Sequence, residues 1–180
     1  MLCRADQLSR ITSKKADLIG GGLSYTDARA KIMDFTTPYF YTGMSILYST
    51  KYHPEIKSLD DLQDKKVIVQ PGTTIEAFVK SNLPNSKTVT VNNIISGYFL
   101  VAQGKADAVI YDRPVIENFA NTTKDTLSLA VTNDLFNQSE CVFTFALAKG
   151  SPYKEIINKT MEEMRNDGTF NRIIEKWLLK

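Results

Sequence analysis

Apolar residues along this chain fall into short unbroken runs and into stripes repeating every three or four positions, and the two patterns alternate. Unbroken runs such as Val67-Ile68-Val69 suit strands covered on both faces, as in a parallel sheet. The stripes suit helices laid against a sheet. Leu8 and Ile11 predict a short helix ending near Ser13, and Asp17-Leu18-Ile19 a buried strand running into Gly20-Gly21-Gly22. Pro38 and Gly43 bracket an extended, tyrosine-rich crossing segment, with a strand from Met44 to Tyr48 beyond it. Ser58-Leu59-Asp60-Asp61-Leu62 predicts a capped helical turn. After the Val67–Val69 strand, Ile75, Phe78 and Val79 stripe a helix; Thr88–Val91 is a strand; Ile95, Tyr98, Phe99 and Ala102 stripe the next helix. Asp107–Tyr111 is again a strand, and Pro114 suits the first turn of a following helix.

The C-terminal part adds an apolar strand, Cys141 to Ala148, and then two helices. Ser151-Pro152 is expected to cap the first, with Ile156, Ile157, Met161 and Met164 as its core face and Gly168 as its stop. Phe170, Ile173, Ile174, Trp177 and Leu178 form the stripe of the second, and these aromatics and methionines are expected in the core. Alternating strands and helices give an α/β class with parallel sheets. One internal echo stands out. Lys15-Ala16-Asp17-Leu18-Ile19 recurs as Lys105-Ala106-Asp107-Ala108-Val109-Ile110, each copy closing a helix and opening a strand.

Composition narrows the function. Lys and Arg number 22 against 20 Asp and Glu, a net charge of +2 with no basic run, so nucleic acid is not favoured. The longest largely apolar stretch, about Val142 to Ala148, is far short of a membrane span. No metal-ligand spacing and no phosphate-loop pattern is present, so no metal or cofactor is expected. Cys3 and Cys141 could pair, but their spacing does not show it. Cys141 reads as a small apolar packer and His53, before Pro54, as a surface loop residue.

The richest segment is Gly21-Gly22-Leu23-Ser24-Tyr25-Thr26-Asp27-Ala28-Arg29, followed by Met33-Asp34-Phe35-Thr36-Thr37-Pro38-Tyr39. Gly22 lets a ligand approach the backbone. Ser24 offers a hydroxyl and an amide. Thr26 suits an N-cap for a short helix beginning at Asp27. Arg29 presents a planar fork matching a carboxylate. The pattern resembles the signature of extracytoplasmic solute-binding proteins for polar amino acids. Four further segments resemble that family in the same order: Ser58–Val69, with Asp64 where glycine is usual; Gln70-Pro71-Gly72-Thr73-Thr74; Gly104–Asp112; and Asp167-Gly168-Thr169-Phe170 through Trp177.

The resemblance implies an α/β, two-lobed periplasmic-binding-protein-like fold with two crossing strands, near Tyr39–Gly43 and Asn137–Cys141. Lobe one would be residues 1–41 and 140–180, and lobe two residues 42–139. It implies non-catalytic capture of an amino acid in an interlobe cleft, outside the cytoplasm, and delivery to the permease of an ABC transporter. Arg29 would bind the ligand carboxylate, helped by Ser24 and by Thr73 and Thr74 at a helix N-terminus. Asp112 and the Gly22 carbonyl would take the ammonium. Gln70 and Tyr111 fall where the family's residues reach the ligand side chain; being neutral and polar, they lean toward a polar uncharged or modest-sized ligand. A capping box with Glu76 is the competing role of Thr73, and an N-cap before Pro114 that of Asp112. The runner-up reading is an enzyme similar to cyclohexadienyl dehydratases, and a third is a binding-impaired form. Family members usually open with a strand, a helix and a second strand before the point matching Leu2. That opening, and any signal peptide, is missing from this sequence. Lobe one is therefore expected to be incomplete, with Leu18, Ile19, Val142, Phe143 and Phe145 exposed and with possible self-association through that lobe.

Overall fold

The computed structural model describes residues 4–139 and 141–178. In chain order the elements are α1 (Arg4–Thr12), β1 (Leu18–Ser24), α2 (Asp27–Ala30), β2 (Met33–Phe35), β3 (Phe40–Tyr41), β4 (Met44–Ser49) and β5 (Lys66–Val69). There follow α3 (Thr74–Asn82), β6 (Lys87–Thr90), α4 (Ile94–Ala102), β7 (Ala108–Asp112), α5 (Arg113–Thr122), β8 (Leu129–Val131), β9 (Val142–Ala148), α6 (Tyr153–Asn166) and α7 (Thr169–Leu178). The chain divides into two compact units. A central unit holds Thr42–Gln138 together with residues 4–6; a terminal unit holds Gln7–Tyr41 with Ser139 and residues 141–178.

The central unit is built on a five-stranded sheet in the order β6-β5-β7-β4-β8. β6, β5 and β7 are parallel, whereas β4 is antiparallel to both β7 and β8. The sheet is therefore mixed rather than purely parallel, because β4 enters directly from the crossing segment instead of through a helix. The β5-α3-β6 and β6-α4-β7 connections step in opposite directions across it. Right-handed crossovers then place α3 and α4 on opposite faces. Val67, Ile68, Val69, Val109 and Ile110 are buried throughout, as strands covered on both faces require.

Two helical stripes differ from the sequence pattern. On α4 the buried face is Ile94, Gly97, Tyr98 and Val101, one step from the expected register, and Ile95 and Phe99 are exposed. Gly97 sets that register, because only a residue without a side chain fits against Ile68, where an added Cβ would lie 2.7 Å from Cγ2. On α6 Met161 is buried but Ile156 is exposed, and on α7 Ile173 and Trp177 are exposed. An apolar stripe names the side that can be covered, not what covers it. Ser151 does not sit at the cap of α6: Pro152 does, and the Ser151 hydroxyl only accepts a long bond from the Tyr153 amide at 3.4 Å.

The terminal unit has an antiparallel sheet in which β9 pairs with β1 on one side and with β2 and β3 on the other. Ile11, Ile19, Leu23, Met33, Phe35 and Ala146 form its core, with Leu8 and Ala16 packed against them. Ile19 and Phe143 are consequently buried, and Val142 and Phe145 half-buried, against the exposure expected of an incomplete lobe; only Leu18 of the five is exposed. The α1 side of the core covers Ile19, and Tyr39 and Phe40 pack their rings against Phe143 at 6.2 and 5.9 Å. Cys141 is buried; Cys3 and Glu140 lie outside the described residues.

The Lys15/Lys105 echo is a real structural repeat. Lys15 and Ala16 both donate to the Arg10 carbonyl, and Lys105 and Ala106 both donate to that of Leu100. The residue before each, Lys14 and Gly104, is left-handed, with φ of 57° and 69°. His53 is not a loose surface residue. Its Nδ1 lies 3.1 Å from Glu55 Oε1 and its Nε2 2.9 Å from Asp107 Oδ1, joining the loop after β4 to the start of β7.

Candidate functional site

In the terminal unit, β1 irregularly spans its glycines, with a register shift against β9 between Ile19 and Leu23. Gly22 has φ +76°, a conformation that a side chain would strain, and its amide donates to Tyr39 Oη at 3.2 Å. Ser24, buried, ends the strand. Thr26 is extended and its hydroxyl accepts from the Arg29 amide at 3.2 Å, so it caps α2 as the sequence predicts. Arg29 Nη1 donates to the Ser24 carbonyl at 2.8 Å, which fixes the plane of the guanidinium fork. Gly22, Ser24 and Arg29 thus belong to one turn. Beside it lies a cavity of about 540 Å³ lined by residues that include Tyr25, Thr26, Asp27, Thr36 and Thr144.

In the central unit, Gln70, Thr73, Thr74, Tyr111 and Asp112 gather at the carboxyl ends of β5 and β7, where ligands of α/β sheets bind. Thr73 caps α3: its hydroxyl accepts from the Glu76 amide at 3.1 Å and donates to the Gln70 carbonyl at 2.7 Å. That proton is therefore committed. The Glu76 carboxylate does not close a regular capping box. It reaches Gly72 N at 2.9 Å and pairs with Lys80 at 2.8 Å, and Lys80 first, then the Gly72 amide, holds it below the usual carboxylate range. The backbone amides of Thr73 and Thr74 remain the donors that no helical carbonyl can reach.

Gln70 is buried; its Nε2 donates to the Asn92 carbonyl at 2.9 Å, and its Oε1 accepts from Tyr111 Oη at 3.3 Å. Asp112 is buried at the N-cap position of α5, but its side chain makes no capping bond. The competing role suggested by Pro114 is thus not the one its carboxylate plays. Sequence reasoning missed two residues here. Tyr39 anchors the Gly22 amide, and its place in a tyrosine-rich segment was the available signal. Tyr98, on α4, has a buried hydroxyl that has no hydrogen-bond partner among the described residues. Burial first, then the nearby Tyr111 and Asp112, pushes its phenol well above the ordinary value.

Among the described residues no cluster of His, Cys, Asp and Glu could hold a metal ion, and no helix is long and apolar enough to cross a membrane. The sequence profile of the bacterial extracellular solute-binding proteins, family 3, matches residues 4–180. The chain belongs to that family. It is 33% identical over 171 residues to the L-cystine-binding protein TcyJ of Escherichia coli (strain K12), covering 94% of this chain and 63% of that protein. The chain therefore spans less than two thirds of that relative's length. Among solved structures, an ancestral arginine-binding protein bound to glutamine superposes with a TM-score of 0.90 at 33% identity, over 99% of this chain and 78% of that one. An ancestral amino-acid-binding protein described as a precursor of cyclohexadienyl dehydratase gives a TM-score of 0.82 at 32% identity, over 95% and 72%. Solved two-lobed amino-acid-binding proteins thus share the mixed α/β fold seen here.

Proposed function

We propose that this chain binds an α-amino acid outside the cytoplasm and passes it to the permease of an ABC transporter, without chemical turnover. The observation that supports this most directly is the turn from Gln70 to Thr74. It sets the first amides of α3, which suit a carboxylate, at the same sheet end as the Asp112 carboxylate, which suits an ammonium. A zwitterion needs both kinds of partner. Arg29, oriented by the Ser24 carbonyl, is the proposed main partner of the ligand carboxylate. The Gly22 carbonyl is a proposed second acceptor for the ammonium. Residues 1–41 with 140–180, and residues 42–139, enter this reading as its two lobes. The expected self-association finds no support and is not part of it.

The test is a thermal-shift screen of the full chain over the proteinogenic amino acids, followed by calorimetry. Ligand at a hundred times its Kd stabilises the folded form by about 2.7 kcal/mol. Arg29→Ala and Asp112→Asn should each cost about 2–5 kcal/mol of binding. Unchanged affinity in Arg29→Ala removes that residue from the site, and no shift with any amino acid removes the function. Similarity to the dehydratase precursor favours one second reading, a dehydratase-like enzyme. Steady product from arogenate or prephenate, lost in Asp112→Asn, would establish it.

A further inference from the structure

Tyr98 is almost fully buried, yet its hydroxyl has no partner among the described residues. A desolvated polar group left unmatched costs free energy, so its position calls for a reason. The topology shows where that hydroxyl faces. α4 lies on the face of the sheet that carries Ile68, because Gly97 packs directly against that side chain. Ile68 is in register with Val109 on β7, so Gln70 and Tyr111, each two residues further on, share that face. α4 runs antiparallel to β5 and β7, as a crossover helix must. Helical side chains lean toward the helix N-terminus, which here is the carboxyl end of the strands. The Tyr98 ring, resting 4.8 Å from that of Phe119, therefore leans toward Tyr111.

On the sheet face that α4 covers stand two neutral groups that hold each other loosely. The Asn92 carbonyl fixes the Gln70 amide with its oxygen toward Tyr111, and the bond between them, at 3.3 Å, is long for an O–H donor. We propose that Gln70, Tyr111 and Tyr98 form a neutral relay that selects amino acids carrying a carboxamide side chain. Tyr98 serves in it as a positioning residue. The inference rests on the amino-acid-binding reading above. A carboxamide NH₂ donates to Gln70 Oε1, and its oxygen accepts from the Tyr111 hydroxyl. The Tyr111 oxygen, released from Gln70, accepts from Tyr98. Each link polarises the next, and the orphaned hydroxyl gains its partner. A charged side chain finds no opposite charge among these three groups and loses its hydration uncompensated.

Calorimetry on the full chain with L-glutamine, L-asparagine, L-glutamate, L-arginine, L-cystine and L-methionine tests this, on the wild type and on Tyr98→Phe. The wild type should bind L-glutamine or L-asparagine about tenfold or more tighter than the others. Tyr98→Phe should weaken the favoured amide ligand about five- to tenfold and leave L-methionine, of similar length but without an amide, unchanged. The ligand-free thermal midpoint should hold or rise, since the variant deletes an unmatched group. A wild type preferring L-arginine, L-glutamate, L-cystine or L-methionine overturns carboxamide selection and leaves amino-acid binding standing. Preference for an amino acid outside this set likewise overturns only carboxamide selection, whereas binding neither to these probes nor to any other amino acid overturns both. Equal weakening of the amide ligand and L-methionine, no weakening, or a lower midpoint shows that Tyr98 only packs, and overturns the relay.

Discussion

Replacing Gly97 by alanine should destabilise the protein, although helix propensity alone says the reverse. Gly97 lies inside α4, where glycine is less favourable than alanine by about 1 kcal/mol. On an open helix face the substitution would recover that amount. Here the new Cβ would stand 2.7 Å from Ile68 Cγ2 and 3.4 Å from Val91 Cγ2. Comfortable carbon contacts begin near ~3.5 Å, so the overlap is close to ~1 Å. Ile68 cannot give way easily. It is wholly buried, β5 is bonded to β6 on one side and β7 on the other, and a β-branched side chain has few χ1 choices. Overpacking of this kind costs about 1–3 kcal/mol. Subtracting the propensity gain leaves a net loss of about 0–2 kcal/mol. Urea unfolding followed by far-UV circular dichroism measures it. Ile68→Leu moves the branch from Cβ to Cγ and removes Cγ2 from the contact. The Ile68→Leu/Gly97→Ala pair should therefore lose less than the sum of the single changes. A Gly97→Ala protein about 1 kcal/mol more stable than the wild type, or strictly additive changes, would refute the packing argument.

Asp64 adopts φ +64°, the left-handed region that disfavours side chains, so Asp64→Gly should raise unfolding free energy by about 0.5–1 kcal/mol; an unchanged urea midpoint would show that aspartate tolerates the turn. Thr73→Ala deletes the cap of α3 together with the bond to the Gln70 carbonyl and should cost about 1–2 kcal/mol, while Thr73→Ser should be close to neutral by the same assay. Lys65 first, then the local backbone and His53, lowers Glu55 from 4.5 to about 2. Because the folded value is the lower one, the stabilisation is complete above pH 4.5 and is lost as pH falls toward 2. Glu55 is half exposed, so the effect is small and salt-sensitive; Glu55→Gln should flatten the acid limb of the thermal midpoint, and an identical limb would exclude the ion pair as its cause.

The sequence made the order of elements legible because each strand and helix carries its own local signal. Thr26 and Thr73 were readable as caps, since capping needs only a hydroxyl at one position ahead of a helix. What stayed hidden depended on partners distant in sequence. The α4 register is decided by Ile68, which the stripe of Ile95, Phe99 and Ala102 does not mention. The exposure of Ile173 and Trp177 is invisible to a periodicity that reports only which side is apolar. Of the two partners of His53, Glu55 is only two residues away and could have been noticed, whereas Asp107, at 2.9 Å, is far along the chain. In the candidate site the residue types were legible, but their bonding was not. Only the geometry shows that the Thr73 hydroxyl is engaged by the Gln70 carbonyl and that Asp112 is not a side-chain cap.

The placement of β9 orders the folding of the two units in time. β1, β2 and β3 are made early, but each hydrogen-bonds to β9 across more than a hundred residues, as the Thr144 bond to the Leu23 carbonyl illustrates with a separation of 121. Among the described residues no two of them are neighbours in the sheet without it. On a ribosome their pairing with β9 waits until Ala148 has emerged, whereas β4 to β8 are already complete and can close their shorter loops first. The strands of the central sheet can thus pair during synthesis before β9 exists, while β1, β2 and β3 meet β9 only later.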